Sequence, residues 1–175
     1  QLYNAIPHRR MTATIYKNYP QGKITVTDFL LGQYYLYEDA LNSQEWNIES
    51  DSMKVVLGHE CQKATCSFRG RKWTAWFALD VPVSDGPLKF CGLPGLIMEV
   101  YDRGKQYYFC INGMQQVSAT PITFGILDKD FKHFQKTDRK DFLLSKYRYL
   151  RNQNSINEAF TGISLGLSLI HISEP

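Results

Sequence analysis

The sequence predicts a mainly β fold, in which one curved antiparallel sheet, open like half of a barrel, is followed by a C-terminal helical segment. Three observations lead to this prediction. Apolar and polar residues alternate in short segments along most of the chain, which is typical of half-buried strands. Turns that contain glycine separate these segments. Aromatic residues, which favour strands, make up 14% of the chain.

The first half of the chain supplies most of the predicted strands. Short strands are expected over residues 11–16, 24–31, 33–38 and 45–49. Residues 59–68 and 71–79 then form a predicted antiparallel hairpin with its turn at Arg69 and Gly70. Its second strand carries bulky side chains on both faces, which indicates a central strand or one that bends around a core.

A long connection follows, over residues 80–95, and it contains six Pro and Gly residues. A loop of this length in a compact domain is usually functional or packed on itself. Beyond it, residues 97–102 and 106–111 form a second predicted hairpin, and residues 115–124 form a further predicted strand.

The pattern becomes helical near the C-terminus. Leu143, Tyr147 and Leu150 are spaced four and three residues apart, and Asp138 is placed to cap the helix. Residues 128–151 hold eight Lys and Arg against four Asp. We interpret this charge as a solvated helical face, with contact to anionic lipid headgroups as the alternative.

The length of 175 residues fits one domain, which we assign to residues 1–158. Residues 159–166 are then a tail, and residues 167–175 resemble a translated sequencing adapter and are left out of the fold. Gln1 is not an initiator Met, so we expect a truncated N-terminus that a signal peptide could have preceded.

Composition narrows the classes of partner that the chain is expected to bind. A net charge of +3 does not point to nucleic acid, and no apolar run is long enough to predict a transmembrane segment. The four cysteines, Cys61, Cys66, Cys91 and Cys110, permit two disulfides in three pairings or four free thiols. No Cys-x-x-Cys pair occurs, so no metal site is predicted, and no cofactor is predicted either.

One apolar stretch organises the middle of the chain. Pro94 has a fixed φ, and the two glycines beside it can take positive φ or allow close approach of another chain segment. We interpret the stretch as a structural corner that leads into a buried strand, since none of its side chains titrates. Its residues are Gly92, Leu93, Pro94, Gly95, Leu96 and Ile97.

This stretch spells GLPGLI, and the chain resembles the GLPGLI family of bacterial envelope proteins. The resemblance extends to further segments in the same order, among them residues 46–48, 59–65, 68–71, 75–77 and 81–87. It implies an exported, periplasmic or cell-surface protein that is rich in β-structure. It implies no activity.

Two groups of residues are candidate binding elements. Arg69 and Arg71 flank the hairpin glycine and suit a carboxylate or phosphate, or they pair with Asp80, Asp85 or Glu99. The aromatic residues either line an apolar pocket or simply pack in the core. This aromatic set consists of Trp46, Trp73, Trp76, Phe77 and Phe90.

The sequence therefore favours a non-enzymatic envelope module that binds or carries an apolar ligand or docks another envelope protein. It predicts a cavity between the sheet and either the helix or the 80–95 loop. The alternative is an envelope hydrolase with a site near His59, Cys61 and Asp85, which requires at least two of these side chains to meet in a cleft.

Overall fold

The computed structural model describes residues 12–118 and 133–152. Within them the chain forms nine strands and one helix. The strands are β1 (Thr14–Lys17), β2 (Lys23–Leu30), β3 (Gln33–Ala40), β4 (Asn47–Val56), β5 (His59–Phe68), β6 (Arg71–Ala78), β7 (Leu96–Asp102), β8 (Tyr108–Cys110) and β9 (Phe134–Lys136), and the helix is α1 (Arg139–Arg151).

Sheet 1 has the strand order β1-β2-β3-β9. Its first three strands are antiparallel neighbours, whereas β9 returns from far along the chain to pair in parallel with β3. Alternate residues of β2 are apolar and face one side, where they pack with Tyr37 of β3 and Phe142 of α1. We call this buried group the sheet 1 core; its members are Ile24, Val26, Leu30, Tyr37, Cys91 and Phe142.

Sheet 2 is a meander in the order β4-β5-β6-β7-β8, with every pair antiparallel. The predicted β5–β6 hairpin is present, and its turn residues Arg69 and Gly70 both have positive φ, as a two-residue hairpin turn requires. One face of the sheet forms the sheet 2 core, which contains Ala64, Cys66, Trp73, Ala75, Phe77, Phe90, Leu93, Ile97 and Val100.

The C-terminal helix is confirmed, and the three residues whose spacing predicted it lie outside its buried face. The carboxylate of Asp138 accepts a hydrogen bond from Lys140 N at 2.7 Å and so caps the helix. Phe142 is the buried residue, whereas Leu143, Tyr147 and Leu150 are 40%, 56% and 58% exposed. Their spacing identified the helix correctly, yet the ring of Phe142 is the side chain that fits against Tyr35 and Tyr37.

The mainly β, antiparallel fold with a C-terminal helix is thus confirmed, and its strands lie in two sheets that do not close into a barrel. Residues 115–118 of the strand predicted at 115–124 are exposed and irregular, and the remainder lies outside the described residues. The tail and the adapter-like segment also lie outside them. None of the described helical residues forms a span long and apolar enough to cross a membrane.

Candidate functional site

Residues 79–95, which join β6 to β7, lie between the two sheets; we call them the connecting loop. Phe90 and Leu93 belong to the sheet 2 core, while Cys91 between them belongs to the sheet 1 core. All three are buried, with 4%, 1% and 1% of their surface exposed. The loop therefore fastens the two sheets together through apolar contacts on both of its sides.

The hexapeptide at residues 92–97 forms the end of this loop. Gly92 has a φ of +91°, a conformation that suits glycine. At Gly95 the reason for glycine is space, because a Cβ atom there would lie 2.0 Å from the carbonyl oxygen of Ala78. The chain can turn into β7 here because neither position carries a side chain. Leu93 and Ile97 are then buried on the sheet 2 core.

Polar contacts hold the loop at several points. The ammonium of Lys17 in β1 donates to the Asp85 carboxylate, to Gly86 O and to Phe90 O. Trp46 Nε1 donates to Cys91 O at 2.8 Å. Since these donors come from both sheets, the loop is fixed along most of its length.

Asp39 in β3 is the centre of a second set of contacts. Its carboxylate accepts from Lys89 Nζ at 2.6 Å and from Arg69 Nη2 at 2.9 Å. Burial raises the pKa of Asp39, but the hydrogen bonds and charges of Lys89 and Arg69 outweigh it, so the pKa of Asp39 is lowered. Arg69 thereby ties the β5–β6 turn to sheet 1.

Arg71 takes a different partner from Arg69. Its guanidinium donates to Asp102 at 2.8 Å and to Gln106 at 2.9 Å, and it lies over the ring of Tyr107. Backbone N–H donation from Tyr107 and the charge of Arg71 lower the pKa of Asp102 despite its desolvation. The acidic partners of the two arginines are thus Asp39 and Asp102, whereas the sequence suggested Asp80, Asp85 or Glu99.

The predicted aromatic residues are divided between the faces of sheet 2. Trp73 and Phe90 meet edge to face, with ring centroids 4.6 Å apart, inside the sheet 2 core. Trp76 lies on the opposite face, where the ammonium of Lys54 is 5.5 Å from its ring centroid. The structure therefore places Arg69, Trp73 and Phe90 around the connecting loop, and it does not bring all the candidate binding residues into one site.

Glu99, which the sequence offered as a partner of the arginines, is buried beside Trp76 and pairs with a lysine that sequence reasoning missed. Glu99 of β7 is 4% exposed and forms an ion pair with Lys54. Burial lowers the pKa of Lys54, but the contact with Glu99 outweighs it and leaves that pKa raised. The pair was hidden in the sequence because Lys54 and Glu99 lie on strands that do not neighbour each other.

An apolar groove of about 450 Å³ runs between the connecting loop and the start of β7. Its floor includes Ile97 and Met98, which are almost fully buried, and its rim includes the half-exposed Tyr108. Asp85 and Cys110 contribute polar groups to the same groove. The remaining lining residues are Gly86, Pro87, Leu96, Phe109 and Ile111.

A second, polar groove of about 700 Å³ lies on the face of sheet 2 that carries Thr74 and Tyr101. Glu45, Lys72 and Arg103 line it as well, so its charges are of mixed sign. This groove offers hydroxyl and charged groups beside a comparable amount of apolar surface, and none of its lining residues belongs to the connecting loop.

The residues of the predicted hydrolase site do not form a catalytic group. His59 Nδ1 lies 2.7 Å from Asp80, whereas the thiol of Cys61 donates to the backbone oxygen of His59. Cys61 is fully buried, and burial raises the pKa of its thiol, which favours the protonated form. Asp85 is bound to Lys17. Among the described residues, no group of His, Cys, Asp and Glu is arranged to hold a metal ion.

All four cysteines are free thiols, which is the second of the two possibilities that the sequence left open. Cys61, Cys66 and Cys91 are buried, and burial raises the pKa of Cys66 to about 11. Only Cys110 is exposed among them, at the edge of the apolar groove.

Comparison with known proteins gives a family of unknown function. The family described as "Protein of unknown function (Porph_ging)" matches residues 69–99, a segment that contains β6, the connecting loop and the hexapeptide. No curated protein matches the chain. Two crystal structures of PNGF-II, in space groups P21 and C2, are similar at 16% identity and a TM-score of 0.48. The similarity covers 72% of this chain and 23% of the PNGF-II chain.

Proposed function

We propose that the protein is a non-enzymatic module of the bacterial envelope that binds an apolar ligand in the apolar groove. The observation that carries this proposal is the groove itself. It lies beside the connecting loop, where the sequence predicted a cavity, and its volume falls in the range of small-molecule sites. Most of its lining is apolar, with a few polar groups at the rim.

The wall of the groove is held in place before any ligand arrives. Lys17 fixes Asp85 and Gly86, which form that wall, from the opposite sheet. A preformed wall reduces the ordering cost of binding. This arrangement supports binding of a ligand in a groove that is already formed.

The envelope location is part of the proposal. It rests on the resemblance of the chain to exported envelope proteins and agrees with the match to the Porph_ging family at residues 69–99. A hydrolase at His59 and Cys61 finds no comparable support, because the Cys61 thiol is buried and engaged with a backbone oxygen.

Fluorescence titration of the full chain with an environment-sensitive fatty acid tests the groove. Ile111→Glu places a charge in the lining, and we expect it to weaken probe binding by about tenfold or more, since burying an unpaired carboxylate is costly. Val55→Glu on β4, at a side chain that is 65% exposed, is the matched control and retains binding.

A second pair of variants tests the wall rather than the lining. Lys17→Met removes the contacts with Asp85 and Gly86. We expect it to weaken probe binding even though residue 17 does not line the groove. Lys23→Met breaks the exposed pair with Glu38 on the same sheet and leaves affinity unchanged. Equal probe binding by wild type, Ile111→Glu and Lys17→Met contradicts the proposal.

A further inference from the structure

Three cations converge where sheet 1, the connecting loop and helix α1 meet. Lys89 and Arg69 both contact Asp39, and Lys89 Nζ also lies 3.2 Å from the hydroxyl of Tyr37. Arg139, the first residue of α1, lies about one helical turn before Phe142, whose ring centroid is 5.7 Å from that of Tyr37. We call Arg69, Lys89 and Arg139 the cation cluster.

Within the described residues, ion pairs reach Lys89 and Arg69 of this cluster but not Arg139. Asp39 is the carboxylate in contact with Lys89 and Arg69. Asp138, which precedes Arg139, accepts from Lys140 N as the helix cap, and Asp28 binds Lys146 and Thr12. The charges of Arg69 and Arg139 add to burial in lowering the pKa of Lys89.

Arg139 also has an unused donor. Its Nε atom is buried and has no hydrogen-bond partner among the described residues. Buried N–H groups are almost always paired, because desolvating one without a partner costs free energy. An unpaired guanidinium donor near two further cations is suited to an acceptor that carries negative charge.

We propose that the cation cluster binds a small oxyanion group, a phosphate or a carboxylate, through Arg139, Lys89 and the hydroxyl of Tyr37. Guanidinium groups match the oxygen spacing of both anions, and a phenol hydroxyl adds a neutral donor. The cluster borders solvent at Arg69 and Lys89, whose side chains are 29% and 13% exposed, while Arg139 Nε lies beneath the surface. This site does not depend on the apolar groove.

Inorganic phosphate is the first probe, applied to the full chain in calorimetric titration and thermal unfolding. We expect saturable binding and a melting temperature that rises with phosphate, compared with sodium chloride at equal ionic strength. Arg139→Gln is expected to weaken phosphate about tenfold or more, as loss of a charge-assisted hydrogen bond does. Arg148→Gln, on the exposed face of the same helix, is the control and leaves affinity unchanged.

Acetate in excess distinguishes the two anion classes. Displacement of phosphate by acetate assigns the site to carboxylates, and failure to displace it assigns the site to phosphate groups. Arg139→Lys keeps the charge but loses the Nε donor, so an intermediate affinity supports the assigned geometry. The proposal is overturned if phosphate stabilises no more than chloride, or if Arg139→Gln and Arg139→Lys, folded by circular dichroism, bind phosphate as wild type does.

Discussion

The connecting loop has an inner part and an outer part that differ in what surrounds them. The inner part, Phe90 to Gly95, is enclosed by both sheets, and Gly95 at its end lies against the backbone of Ala78. The outer part, Asp85 to Pro87, forms one wall of an open groove. The difference teaches that the hexapeptide motif lies in the part that joins the two sheets, which we call the joint. The segment just before it is the part that is available to a ligand.

Gly95→Val should give the largest effect, because it tests whether the inner part is closed. A side chain there meets the Ala78 carbonyl, which belongs to rigid backbone and cannot rotate away. We expect a loss of more than about 4 kcal/mol in the free energy of unfolding, at the exceptional end for a single substitution. Urea denaturation followed by circular dichroism measures it.

Gly70→Ala is the matched control for this glycine substitution. Gly70 has a φ of +77°, but nothing lies within 4 Å of the Cβ position, so only backbone strain is added. The expected loss is about 1 kcal/mol. Equal losses for Gly70→Ala and Gly95→Val would show that close approach to Ala78 is not the reason for glycine at the corner.

Asp39→Asn should have a smaller effect, because it loosens the polar contacts of the inner part and leaves its apolar ones. The lowered pKa of Asp39 means that its carboxylate stabilises the fold above the unfolded value of about 4. This stability is lost as pH falls through the lower folded pKa. At pH 7 we expect Asp39→Asn to cost about 1–2 kcal/mol, since Lys89 loses its charged partner.

The free energy of unfolding measured at acid pH provides the decisive readout for this variant. Below pH 4 the difference between wild type and Asp39→Asn should shrink, because the unfolded wild-type chain then binds a proton at Asp39 that the folded protein binds only at lower pH. Asp51→Asn, at an exposed position of β4, serves as the control with no pH-dependent difference. A constant difference from pH 7 to pH 3 would argue against an ionised Asp39 in the joint.

Thiol labelling has the smallest expected effect on the fold, and it compares the inner part of the connecting loop directly with the groove. Cys91 belongs to the inner part, whereas Cys110 lines the groove. In the native protein we expect a disulfide-exchange reagent to modify Cys110 rapidly and the three buried thiols only on unfolding. Cys110→Ser should change stability by less than about 0.5 kcal/mol. Fast labelling of Cys91 would indicate that the joint opens.

Local patterns were sufficient to predict most of the fold. Alternation and the Arg69-Gly70 turn predicted the β5–β6 hairpin, and Asp138 predicted the start of α1, because these features depend on neighbouring residues. The division into two sheets could not be predicted, since it depends on the late return of β9 to β3. The same holds for the burial of Phe142 in place of Leu143, which tertiary contacts decide.

The candidate site was predicted less completely than the fold. The carrier hypothesis predicted a cavity beside either the helix or the 80–95 loop, and the apolar groove borders residues 85–87 of that loop. Lys17, which holds Asp85 at the wall of the groove, lies 68 residues away from Asp85 along the chain. No local pattern in the sequence marks the contact. The partners of Arg69 and Arg71 were missed for the same reason, because salt bridges between distant strands leave no periodic pattern.

The parallel pairing of β9 with β3 has a consequence for biogenesis. Residues 134–136 must reach Tyr34 to Leu36 before that border of sheet 1 is covered, so a nascent chain carries an unmatched backbone edge for about a hundred residues of synthesis. Contacts between such distant segments also slow folding. A chaperone that shields β3 until the C-terminal part arrives would therefore raise the yield of folded protein more than one that acts on the sheet 2 meander.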